Sequence, residues 1–181
     1  MTIEERLGKV ERELRRLESH TRGVTQEGIV RAKEFVVEDE NGATRVRVGV
    51  DDNGSILALA DENGKLRAAL LVGKNGPRFS LLDENGQLRA ILCAHKVGPA
   101  LCLYDENGKS GVTVSVHKDR LGLNLDDENG KTRAGLAVTK DGPALNLLDE
   151  NEGFRVLLTM SKDGPRMHLC DEKGKVTWKA P

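Results

Sequence analysis

Apolar and polar residues alternate in short bursts along most of this chain, and the bursts return every 22 residues. An Asp-Glu-Asn-Gly motif, with one residue changed in each of the last two copies, begins at Asp39, Asp61, Asp83, Asp105, Asp127, Asp149 and Asp171. A fixed period of this length marks a repeat architecture. With each Asp taken as position 0, apolar residues occupy −4 and −2 (Leu57/Leu59, Leu101/Leu103, Leu145/Leu147) and +7, +9 and +11 (Ala68/Leu70/Val72, Val112/Val114/Val116, Ala134/Leu136/Val138). A spacing of two puts each set on one face of a strand. Seven β-hairpin repeats are predicted over residues 29–181.

The first 28 residues follow another rhythm. Ile3, Leu7, Val10, Leu14, Leu17, Thr21 and Val24 alternate in steps of four and three, the a/d pattern of a coiled coil. The spacing predicts a helix over 2–27, opened by a Thr2/Glu5 capping box and ended at Gly28. Leu at a with β-branched residues at d favours trimers or tetramers. The segment 1–28 therefore reads as an oligomerisation helix.

The turn chemistry sets the expected pairing. Asn-Gly at +2/+3 signals a two-residue type I′ turn, which places −2 opposite +7 and −4 opposite +9. A second turn at +14/+15 (Asn53-Gly54, Asn75-Gly76, Asp141-Gly142, Asp163-Gly164) is read the same way. It pairs position x with 29 − x, and so opposes Cys93 and Cys102 directly. Arg120 and Glu152 stand where glycine is wanted, so strain or a different turn is expected there. Glu at +1 is expected to pair across the first turn with Lys at +4, as in Glu62–Lys65 and Glu128–Lys131.

The result is an antiparallel meander of 13 or 14 strands, one face of it apolar and without a cover in the same chain. Such a face must be buried. The predicted pairing rules carry a stagger of two residues per repeat, so the strands should tilt. Three aligned copies with Leu/Val faces inside, a homotrimeric β-prism, satisfy the pattern best. The alternative is a closed β-barrel. Trp178 at +7 of the last repeat suggests a capped end.

The repeat Asp-Glu-Asn-Gly-Lys-x-Arg-Ala-x-Leu-x-Val, as in residues 61–72 and 127–138, resembles that of repeat proteins among uncharacterised bacterial open reading frames. A short coiled coil followed by a trimeric β-shaft is similar in plan to phage and viral fibre shafts. The resemblance implies a structural role and brings no activity with it.

Composition narrows the function classes. Of the 181 residues, 31% are charged, yet the net charge is −1, which disfavours binding nucleic acid by overall charge. Aromatics at 3% leave no stacking platform for single strands. No apolar run reaches the roughly 20 residues of a membrane span, and the charged N-terminus has no signal-peptide core. A cytoplasmic location is the default, with leaderless export or phage-like release as other routes.

Four features are candidates for chemistry. Asp-Glu-Asn-Gly offers oxygen ligands but lacks the remaining positions of an EF-hand loop. Lys74, Lys96, Lys118, Lys140 and Lys162 at +13 make a basic ladder, which also protects a sheet margin. Cys93, Cys102 and His95 share a face and offer at most three soft-metal ligands. Arg at +6 (Arg45, Arg67, Arg89, Arg133, Arg155) is read as packing on the solvent face. No catalytic, cofactor-binding or metal site is assigned. The expected function is a non-catalytic structural or scaffold protein forming a trimeric rod, its partner being itself, laterally or end to end. The alternative is a module gripping a glycan, polymer or protein through its outer face or Lys margin.

Overall fold

The computed structural model describes residues 3–20, 24–26 and 29–180. The chain divides into two compact units, Met1–Phe35 and Val36–Pro181.

In the first unit, helix α1 spans Ile3–His20, with Glu4 and Glu5 in its first turn, where acidic groups suit the helix dipole. Ile3, Leu7 and Val10 lie along it, exposed. Thr2, Thr21 and Gly28 lie outside the described residues. The expected helix over 2–27 is too long. Strand β1 (Val24–Gln26) pairs antiparallel with β2 (Ile29–Val30). Gly23 weakens helix propensity, and the β-branched Val24, Thr25, Ile29 and Val30 prefer extended backbone.

Fourteen strands follow, the first of which crosses the boundary into the second unit: β3 (Glu34–Glu38), β4 (Thr44–Asp51), β5 (Gly54–Ala60), β6 (Leu66–Gly73), β7 (Gly76–Leu82), β8 (Leu88–His95), β9 (Gly98–Tyr104), β10 (Ser110–His117), β11 (Arg120–Asp126), β12 (Thr132–Thr139), β13 (Gly142–Leu148), β14 (Phe154–Ser161), β15 (Gly164–Cys170) and β16 (Val176–Ala180). They form one antiparallel meander in strict chain order, with β3 and β16 as its outer strands. The sheet is open, so the closed-barrel alternative is wrong.

The reason lies in the register. Across the first turn, −2 faces +7 and −4 faces +9, as in Leu59↔Ala68 and Leu57↔Leu70. The route differs from a type I′ turn, which needs positive φ at both central residues. Here Asp61 N–H donates to the Lys65 carbonyl, leaving a three-residue loop in which Gly64 alone has positive φ (+74°). A bulge at Arg67 then restores the parity, since Ala60 faces Leu66 while Leu59 faces Ala68.

At the second turn the loop begins one residue earlier than expected. Asp51 faces Gly54, Val48 faces Leu57 and Val46 faces Leu59. Position x therefore pairs with 27 − x, not 29 − x. The two rules, 5 and 27, differ by 22, which is the repeat length. No stagger accumulates, and a sheet without shear lacks the strand tilt that barrel closure requires.

Zero stagger also stacks like positions in straight columns. One runs Val48–Leu57–Leu70–Phe79–Leu92–Leu101 and continues through Val114, Leu123, Leu136, Leu145 and Leu158 to Met167. A second runs through Leu59, Ala68, Leu81, Ala90 and Leu103 on to Leu169 and Trp178. The opposite face carries small residues, among them Ala58, Ala69, Ser80 and Cys102.

Glu152 is the one described non-glycine residue with positive φ (62°), so the expected strain is present at that turn. Arg120 shows no such step; it opens β11 directly opposite His117.

Candidate functional site

The residues with chemical potential are concentrated at the turns, and most of them hold the repeat together. Asp39 Oδ1 accepts the N–H groups of Asn41 (2.9 Å) and Ala43 (3.0 Å), and its other oxygen meets Arg45. The same arrangement recurs at Asp61 and Asp127, with Arg67 and Arg133 at 3.3 and 3.4 Å. These carboxylates are committed to backbone N–H and guanidinium groups, which argues against calcium ligation at Asp-Glu-Asn-Gly.

The bulge explains the Arg. Its guanidinium holds its own Asp, while its Nε donates to the carbonyl just before the next Asp: Arg45 to Ala60, Arg67 to Leu82, Arg133 to Leu148. These three Arg residues each tie one first turn to the next. The spacing of Asp at 0 and Arg at +6 in five repeats was the signal for this contact, and the packing role expected for the Arg overlooked it. Lys at +4 does not pair with Glu at +1. Lys65 and Lys109 instead donate at 2.8 Å to the carbonyls of Glu84 and Glu128, each in the following repeat. Lys131 does the same to Glu150.

The turn hydrogen bonds hold several carboxyls below the ordinary 3.8. For Asp39, Asp105, Asp127 and Asp149 the leading cause is the N–H of the residue at +4. For Asp61, desolvation pulls upward and is outweighed by the N–H groups of Lys65 and Asn63 together with Arg67. Depressed carboxyl values stabilise the fold above the unfolded value and lose that contribution as pH falls through the folded ones. Denaturant midpoints are therefore expected to be level above about pH 5 and to decline below about pH 4. An unchanged midpoint at pH 3 would refute the role given to these turns.

Cys93 and Cys102 are not directly opposed. Cys93 faces Ala100, to whose carbonyl its thiol lies at 3.6 Å, and Cys102 faces Ile91. The two-residue correction in register moves them to diagonal positions. Tyr104 lies near both; burial pushes its phenol above 10.0, and Cys102 followed by Cys93 adds to the rise. His95 points Nδ1 to the Asn75 carbonyl at 3.1 Å, and His117 repeats this with Val97. Among the described residues no group of three or more His, Cys, Asp or Glu is placed to hold a metal.

The five Lys at +13 are exposed and stack in a row along the second turns, two strands apart, about 10 Å. An open cleft of about 520 Å³ beside them is lined by Asp51, Asp52, Lys74, Arg78 and His95. Its two carboxylates offset its two fixed cations, so it has no clear preference for an anion. No described helix is long and apolar enough to cross a membrane. No protein-family model matches the chain, and no curated protein matches it in sequence.

Proposed function

We propose that this chain is a non-catalytic structural protein, a scaffold in which three copies, aligned by coiled-coil helices, bury their Leu/Val faces against one another to form a rod. One observation carries the reading: the sheet has almost no core of its own. Among the described residues only Cys93 and Ala137 are buried hydrophobics, and no side chain is fully buried. Leu57, Leu70, Leu92, Leu101, Leu136 and Leu158, all in one column, keep 37–55% of their surface exposed. Stable domains bury such faces against a second layer, and each aliphatic side chain fully covered contributes about 1.5–3 kcal/mol.

The straight columns suit this role. An unstaggered sheet of fourteen strands extends on the order of 65 Å, and another copy of it presents the same flat aliphatic face along that whole length. The turn-bound Asp, Arg and Lys are committed to structure, which also favours scaffold over catalyst. Light scattering on the full chain, extrapolated to low concentration, is expected to return three times the 19.8 kDa chain mass. A monomer that stays in solution would overturn the reading.

A further inference from the structure

The two outer strands of the sheet are the complementary halves of one hairpin. Strand β3 already uses its first-turn side against β4, and β16 uses its first-turn side against β15. Within the sheet each therefore has no strand neighbour on the side that elsewhere forms a second hairpin. We propose that copies of this chain join head to tail by strand addition, β16 of one copy pairing with β3 of the next in the ordinary second-hairpin register.

That register puts Trp178 (+7) opposite Val37 (−2) and Lys179 (+8) opposite Val36 (−3), as Val46 faces Leu59 and Arg47 faces Ala58 within the chain. The second column, which runs through Leu169 to Trp178, would continue into the next copy without a break. Trp178, Val36 and Val37 are 49%, 46% and 55% exposed. Trp178 is in this view a joint and not a cap.

Charge selects the pairing. Lys179 falls diagonal to Glu38 on the same face, within reach of a cross-strand ion pair. Lys175 occupies +4, the position from which Lys65, Lys109 and Lys131 donate to the following repeat's +1 carbonyl. In the proposed register Glu40 would supply the +1 carbonyl for Lys175. Pairing β16 with β16 would set Lys against Lys, and β3 with β3 would set Glu against Glu, both unfavourable. The contact is therefore heterologous, and contacts of that kind propagate where they do not close into a ring.

The inference deepens the scaffold reading by naming its end-to-end partner, and the test separates the two. Full-length V37C and W178C are mixed under mild oxidation, with the wild type, which holds Cys93, Cys102 and Cys170, as control. The mixture is expected to give a covalent dimer that neither variant forms alone, and the double variant a ladder. In sedimentation velocity the wild type should form multiples of its base unit as concentration rises. K175E/K179E should raise the concentration needed by about tenfold or more and leave the base unit unchanged. A dimer from V37C alone, or no mixed dimer together with no multiples, would overturn strand addition. The base unit's own mass reports separately on the trimer.

Discussion

Gly98→Ala is expected to cost at least about 3 kcal/mol of stability. Gly98 has φ +134°, and a Cβ there would lie 1.7 Å from the Val116 carbonyl oxygen on the neighbouring strand. No rotamer change relieves that approach, because both partners are backbone. The same crowding recurs at Gly54 with Val72 and at Gly142 with Met160. Gly86 is the matched control. It too has positive φ (+80°), but nothing lies within 4 Å of its Cβ position. Gly86→Ala should cost only the left-handed penalty, about 1 kcal/mol. Denaturant unfolding at one fixed protein concentration compares the pair. Equal losses would mean that strand approach at the second turns is looser than described.

Leu101→Lys should abolish assembly of the full chain at micromolar concentration, weakening association by more than about 100-fold. In an isolated sheet the change would be mild, because Leu101 is already 37% exposed and surface substitutions usually fall within about 0.5 kcal/mol. In a packed trimer it would bury an unpaired ammonium between Leu92 and Val114. Val97→Lys is the control: it is more exposed, at 69%, but sits in a second turn away from the columns. Light scattering distinguishes the outcomes. Unchanged mass for Leu101→Lys would place the Leu/Val face outside any assembly.

The period, the strands and their apolar face were all legible in the chain, because alternation by two survives any even error in register. The pairing was not. Asn-Gly reads equally as a type I′ turn or as the end of a three-residue loop. The choice is made by Asp Oδ1 capturing two backbone N–H groups, as Asp61 captures those of Asn63 and Lys65. The bulge at Arg67 then cancels the extra residue, so the first pairing came out right by a different route. At the second turn the shift was two residues, which kept every face and removed the stagger. That one shift undid the argument for tilted strands and the Cys93–Cys102 opposition together. In the N-terminal segment, heptad spacing carried the helix through Val24, although Gly23 and the β-branched residues beyond it favour a short hairpin.

The equality between pairing offset and repeat length makes the sheet a counted ruler. Inserting or deleting one 22-residue unit leaves every other column, bulge and Asp–Arg contact in place, and changes only the number of strands. Each unit adds two strands, about 10 Å. The length of the sheet can therefore change in fixed increments without redesign of the remaining strands. Span is then a matter of copy number, on which single substitutions have little purchase.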